Sequence, residues 1–158
     1  MIVVSNTTPI ISLSSIGKIN LLKKIFYKIY VPTAVFNEIK AKKSYGYDDI
    51  DKDFFKIYNI KDNIKKFLLL NELDDGEAET IVLALEIKAD FVLIDERIGY
   101  NLAKSLGLNP IGTLAILIEA KRRGFIEKLE PLLQEMVNRG RWYSEFVVEK
   151  VLKKVGER

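Results

Sequence analysis

The sequence predicts an α/β fold with a central parallel sheet covered by helices on both faces. Two short runs, Ile2-Val3-Val4-Ser5 and Phe91-Val92-Leu93-Ile94, have the unbroken hydrophobicity of strands buried on both faces. Segments of helical period alternate with such runs along the chain, the order that parallel strands and their crossover helices require. The length of 158 residues, 48% of them hydrophobic, suits one core. No linker rich in Pro, Gly or Ser interrupts it, so residues 1–158 are expected to form a single domain.

Each element follows from local chemistry. After the first strand, Asn6-Thr7-Thr8-Pro9 reads as a helix start, with a capping side chain and proline in the first turn. Helical spacing continues through Ile10-Ile11-Ser12-Leu13 and resumes after Gly17 from Ile19 to Phe26. Ile29-Tyr30-Val31 is a second strand stopped by Pro32, and Thr33 is expected to cap a helix carrying Val35, Phe36 and Ile39. The stretch from Ala41 to Asp62 is irregular, with a loop, a short helix near Ile50 to Phe55 and a minor strand at Ile57–Ile60.

Leu73-Asp74-Asp75-Gly76-Glu77 opens an amphipathic helix through Ile81, Val82, Leu85 and Ala89. The strand Phe91–Ile94 ends at Asp95, and the helix after it, through Ile98 and Leu102, stops at Gly107. Asn109-Pro110-Ile111 is a last short strand. Thr113 is expected to cap a helix ending at Gly124. Helices near Pro131–Val137 and Glu145–Val155 complete the chain.

Composition narrows the chemistry. There is no cysteine and no histidine, which excludes disulfides, thiol nucleophiles and the commonest zinc ligands. Catalysis must therefore run on carboxylates, hydroxyls, lysines or a hard metal ion. No P-loop, no dinucleotide-binding glycine pattern and no Gly-x-Ser-x-Gly elbow is present. No apolar stretch is long enough to cross a bilayer, and the N-terminus lacks the basic region of a signal peptide, so a cytoplasmic protein is expected.

Four polar residues stand out: Asn6, Glu38, Glu77 and Asp95. Asn6 and Asp95 end the two apolar strands, and ligands of open parallel sheets bind beyond the carboxyl ends of strands. If Glu38 and Glu77 join them, the site is acidic and calls for a divalent cation, because clustered carboxylates do not all stay ionised unaided. Each has a plainer role open to it. Asn6 and Asp95 are each placed to cap a helix, Asp74 with Glu77 has capping-box spacing, and Glu38 stands four before Lys42. The formal charge is +3, and clusters of lysine and arginine suit phosphate neutralisation or, equally, ordinary helix ends.

The ordered segments Val3–Ile11, Val31–Ile39, Gly76–Glu79, Leu93–Arg97 and Ile111–Leu114 resemble those of PIN-domain proteins, in particular the prokaryotic branch related to VapC toxins. The resemblance implies a Rossmann-like three-layer α/β/α sandwich and metal-dependent cleavage of RNA. It places Asn6, Glu38, Glu77 and Asp95 as catalytic residues and ligands of Mg²⁺ or Mn²⁺. Position 6 departs from the family's usual aspartate, and the amide removes one negative charge. The resemblance thus implies a ribonuclease, with a weakened or inactive nucleic-acid-binding module as the alternative. Lys42, Lys43, Arg97, Lys121 and Arg122 are the candidates for gripping single-stranded RNA, with Tyr45, Tyr47, Trp142 and Tyr143 as stacking surfaces. An antitoxin protein and a homodimer are the partners implied.

Overall fold

A computed structural model describes residues 1–141 and 143–158. Five strands, β1 (Val3–Ser5), β2 (Ile29–Pro32), β3 (Phe55–Tyr58), β4 (Phe91–Leu93) and β5 (Pro110–Ile111), form one sheet in the order β3-β2-β1-β4-β5. Every pairing is parallel. The helices are α1 (Thr7–Ser15), α2 (Asn20–Phe26), α3 (Thr33–Lys40), α4 (Asn63–Leu69), α5 (Asp75–Glu86), α6 (Arg97–Ser105), α7 (Thr113–Arg122), α8 (Glu130–Asn138) and α9 (Glu145–Lys154).

Strand alternation divides the interior into two cores. Val3 and Leu93 point to one face of the sheet, where Ile10 and Leu13 of α1, Val35 of α3, Ile116 of α7, Leu133 of α8 and Leu152 of α9 pack. Val4, Val92 and Ile94 belong to the other face and pack with Ile81 of α5 and Ala103 of α6. The result is the three-layer α/β/α sandwich that the alternating pattern predicts. No helix among the described residues is long and apolar enough to cross a membrane.

The topology fixes where a site can form. The chain moves from β1 outward to β2 and β3, then returns to place β4 on the other side of β1. Connections therefore leave β1 and β4 in opposite directions and open a crevice at their carboxyl ends, where open α/β sheets bind ligands. Register matches Val3 with Phe91, Val4 with Val92 and Ser5 with Leu93. A hydrogen bond from Asn6 N–H to the Leu93 carbonyl (2.9 Å) carries the pairing one residue further.

The irregular region differs from expectation. The edge strand runs over Phe55–Tyr58 rather than Ile57–Ile60, because buried Phe55 pairs with Ile29 and sets the register from the core outward. The expected short helix there is a single 3₁₀ turn, Asp49–Asp51. Helix α4 lies in a segment to which the sequence reading assigns no element, although Asp62 and the i, i+3, i+4 spacing of Ile64, Phe67 and Leu68 are a helical signal. Its Asp62 cap accepts a hydrogen bond from Lys65 N–H, but Ile64, Phe67 and Leu68 face outward and none of its residues is buried. Helix α5 stops at Glu86, short of Ala89, and Lys88 takes a left-handed conformation (φ 54°) that turns the chain into β4. Thr33 and Thr113 are first helical residues and not caps, since Pro32 and Gly112 hold those positions.

Truncating Ile81, which is fully buried under the β1–β4 half of the sheet, removes packing on that face. Ile81→Ala is expected to lower the unfolding free energy by about 2–5 kcal/mol, measured by urea denaturation.

Candidate functional site

The residue after β1 and the residues after β4 meet. Asn6 is 3% exposed and is the N-cap residue of α1, yet its side chain makes no capping hydrogen bond. Its Nδ2 instead donates to Glu96 Oε2 at 3.2 Å. Thr8 Oγ1 donates to the other oxygen of the same carboxylate. Neighbouring Thr7 donates to Glu38 Oε2 at 2.8 Å, which brings α3 to the start of α1. Among the described residues no ion pair joins Glu38 to Lys42.

Asp95 is not a helix cap either, since Glu96 occupies the N-cap of α6. One oxygen of Asp95 accepts from the Thr113 backbone N–H (2.7 Å) and the other from the Thr113 hydroxyl (2.6 Å). The first turn of α7 therefore holds the carboxylate that follows β4. Burial pushes the Asp95 carboxyl above its ordinary value against these two hydrogen bonds, and the Glu96 charge adds to the rise.

Glu77 does form the capping box its spacing announces: Glu77 N–H donates to Asp74 Oδ1, and Asp74 N–H to Glu77 Oε1. Its second oxygen lies 3.3 Å from where a Cβ on Gly99 would sit, at the start of α6. Burial, with the charges of Asp74 and Glu96, lifts the Glu77 carboxyl to about 7 although the Asp74 N–H opposes the shift. Cap and candidate site residue are thus the same side chain.

Glycine lets α5 come this close. A Cβ on Gly76 would lie 2.9 Å from Glu38 Oε2 and 3.4 Å from Asn6 Oδ1, so any larger residue would press on both. Two clefts flank the arrangement. One of about 540 Å³ is bordered by Glu38, Gly76, Glu79 and Lys66. The other, about 470 Å³, is bordered by Thr8, Asp95, Arg141 and Tyr143.

The sequence reading missed Glu96, whose carboxylate links Asn6 and Thr8. Its position next to Asp95, one step further past β4, was the available signal, but a charged residue opening a helix has an ordinary explanation. Glu79, by contrast, is engaged in structure: it accepts from Ala34 N–H and pairs with Lys66 at 2.7 Å.

The basic candidates separate. Arg97 begins α6 beside Glu96 and is exposed at the rim. Lys42 and Lys43 are exposed in the turn after α3. Lys121 and Arg122 are not brought to the site, because α7 starts at Asp95 and carries them about 13 Å away along its axis. There Lys121 pairs with Glu157 (2.8 Å) and Arg122 with Glu119. Arg141, outside that set, lines the Asp95 cleft. Of the aromatics, Tyr143 lines that cleft, while the Tyr47 ring sits under Lys40 and the Tyr45 hydroxyl faces Arg139. Trp142 lies outside the described residues.

The donor set fits a hard cation. Asn6 Oδ1 and the carboxylates of Glu38, Glu77, Asp95 and Glu96 are oxygen ligands of the kind Mg²⁺ and Mn²⁺ take. Among the described residues no three acidic side chains close on one point, since Thr113 and the capping box engage Asp95 and Glu77. Mg²⁺ is commonly held by one or two carboxylates, with water or phosphate completing its shell. Asn6 and Glu38, whose oxygens both come close to Gly76, would be such a pair.

The elevated Glu77 value makes stability depend on pH in the metal-free protein. Its folded value of about 7 exceeds the ordinary 4.5, so the folded state holds the extra proton between those limits. Unfolding free energy should therefore fall as pH rises from 4.5 through 7. Glu77→Gln is expected to flatten that decline in denaturation series run with a chelator.

A family model described as a PIN domain matches residues 2–157. No curated protein matches the chain. PIN domains are generally nucleases. The match spans all but the first and last residues and agrees with the sheet and the acidic site, so the chain belongs to the PIN-domain family.

Proposed function

We propose that this protein is a metal-dependent endoribonuclease that hydrolyses RNA phosphodiester bonds with Mg²⁺ or Mn²⁺. The observation that supports the proposal is the pair of hydrogen bonds that join Asn6 to Glu96 and Thr7 to Glu38 where β1 and β4 end, next to Asp95, in a chain of the PIN family. Asn6 Oδ1, Glu38, Glu77 and Asp95 are the groups that would hold the cation. The chemistry supplied by a bound cation is activation of a water and neutralisation of charge developing on phosphorus.

The remaining work falls to the chain's own residues. Thr113 orients Asp95 through both oxygens, and Thr7 orients Glu38. With no histidine available, proton transfer falls to a carboxylate or to water. Arg97 at the rim and Arg141 in the cleft are positioned to meet backbone phosphates, and Tyr143 offers a ring to an unstacked base. Single-stranded RNA is the substrate proposed on that account.

The VapC-like resemblance extends the proposal to a toxin restrained by an antitoxin protein and to a homodimer. The outward apolar side chains of Ile64, Phe67 and Leu68 on α4 support an association surface. A second reading, a nucleic-acid-binding module that has lost turnover, is favoured by the neutral side chain at position 6 and its engagement with Glu96.

Calorimetry with Mn²⁺, together with cleavage of a single-stranded RNA, decides between the two. Asp95→Asn is expected to bring cleavage below detection. Thr113→Val keeps the backbone donor and loses the hydroxyl, and should lower metal affinity or cleavage by about 10- to 100-fold. RNA binding without metal or cleavage, unchanged by Asp95→Asn, would establish the second reading instead.

A further inference from the structure

The first 37 residues hold four lysines, Lys18, Lys23, Lys24 and Lys28, and no aspartate or glutamate. Lys23, Lys24 and Lys28 are exposed in and just after the last turn of α2, where the chain enters β2 at the amino edge of the sheet. That edge is opposite the one at which β1 and β4 lead into Asn6 and Asp95. Elsewhere Lys40, Lys66 and Lys121 each pair with a carboxylate. Among the described residues none of these four does.

Among these lysines stands Tyr27. Its backbone has φ 72° and ψ −55°, and Lys28 N–H donates across it to the Phe26 carbonyl at 2.9 Å. This is a γ-turn of the rare and strained hand. The turn has a structural reason, because Phe26 before it and Ile29 after it are both buried. The tyrosine has none: it is 80% exposed, and glycine would hold the same backbone without strain. The chain tolerates that strain and keeps an aromatic ring in water beside cations.

The surface continues past α2. Lys24 Nζ lies 5.7 Å from the centre of the Phe125 ring, which is itself 38% exposed. Phe125 borders an open cleft of about 520 Å³ with Lys18 and Lys128, and Lys52 borders a neighbouring one with Lys23. The acids of these two clefts are Glu127 and Asp53. Cations therefore outnumber acids across the patch, and two rings lie open within it.

We propose that this surface is a second nucleic-acid contact, separate from the acidic site, which binds a single strand by stacking a base on Tyr27 and pairing phosphates with Lys23, Lys24 and Lys28. Lysines alone suit any polyanion. The exposed ring among them selects one that carries flat bases, and only unpaired bases are free to stack. The contact needs no metal. It goes beyond the nuclease reading by giving the strand a hold on the edge of the sheet away from the cleavage site.

The test is fluorescence anisotropy of a labelled single-stranded RNA about a dozen nucleotides long, measured in chelator. The proteins compared are the wild type, Tyr27→Phe, Tyr27→Gly and the triple variant Lys23→Gln/Lys24→Gln/Lys28→Gln, each checked by thermal unfolding. Tyr27→Gly should melt close to the wild type yet bind about tenfold or more weakly, whereas Tyr27→Phe should keep its affinity. The triple variant should bind more weakly and lower the slope of log affinity against log salt by about two. Unchanged affinity in Tyr27→Gly, or an unchanged salt slope in the triple variant, would overturn the inference. So would wild-type binding of inorganic polyphosphate, which carries charge without bases, as tight as that of RNA. With Mn²⁺ restored, a dinucleotide too short to reach both edges should be cleaved equally by the wild type and Tyr27→Gly. Its cleavage by neither would count against the nuclease reading and leave this inference standing.

Discussion

When β1 lies beside β4 in parallel, with Ser5 opposite Leu93, both strands end at the same edge and both chains must turn out there. The residues that follow, Asn6 on one strand and Asp95 and Glu96 on the other, are adjacent although about ninety positions separate them in sequence. The other parts of the site depend on that pairing. Helix α1 brings Thr7 to Glu38, helix α7 brings Thr113 to Asp95, and the capped start of α5 brings Gly76 against Asn6. Helices α1, α5 and α7 thus begin at one edge of the sheet, as does α6 after Glu96.

That arrangement gathers negative charge in a partly buried place, and the protein offsets it incompletely. Hydroxyls and backbone N–H groups of Thr7, Thr8, Thr113 and Asp74 satisfy carboxylate oxygens, but each is neutral. Elsewhere the same chain pairs acids with cations directly: Glu79 with Lys66, Glu157 with Lys121, Glu119 with Arg122 and Arg123. Arginine neighbours hold Glu119 at about 2, whereas Glu77 stands at about 7. Burial is the main cause of the Glu77 rise, and among the described residues no ion pair offsets it. The elevated carboxyls are a cost in stability that binding of a cation would relieve.

Cations around the site follow helix geometry. Residues at the start of a helix that leaves this edge, such as Arg97, stay near it, and residues at its far end do not. Lys121 and Arg122 illustrate the second case. In sequence they resemble a phosphate-binding cluster, but one ten-residue helix separates them from Asp95 and local acids engage them.

Much of this was legible in the sequence. Unbroken apolar runs such as Phe91–Ile94 mark buried parallel strands because both faces are covered, and helical spacing with capping residues marks the crossovers between them. The capping box at Asp74 and Glu77 is local chemistry, and it formed as its spacing required. Family membership was legible as well, in the order of the polar segments. Helix α4 was legible too, in the Asp62 cap and the spacing of Ile64, Phe67 and Leu68, but its outward apolar face was not, and β3 was displaced because its register is set by Phe55 against Ile29. Which polar side chains meet was beyond the sequence for a simple reason. Strand order and register decide it, and these depend on packing between residues far apart in the chain. Sequence alone assigned Asn6 and Asp95 a choice between capping and chemistry. Only the tertiary structure turned Asn6 toward Glu96 and Asp95 toward Thr113, because only there are those partners within hydrogen-bonding reach.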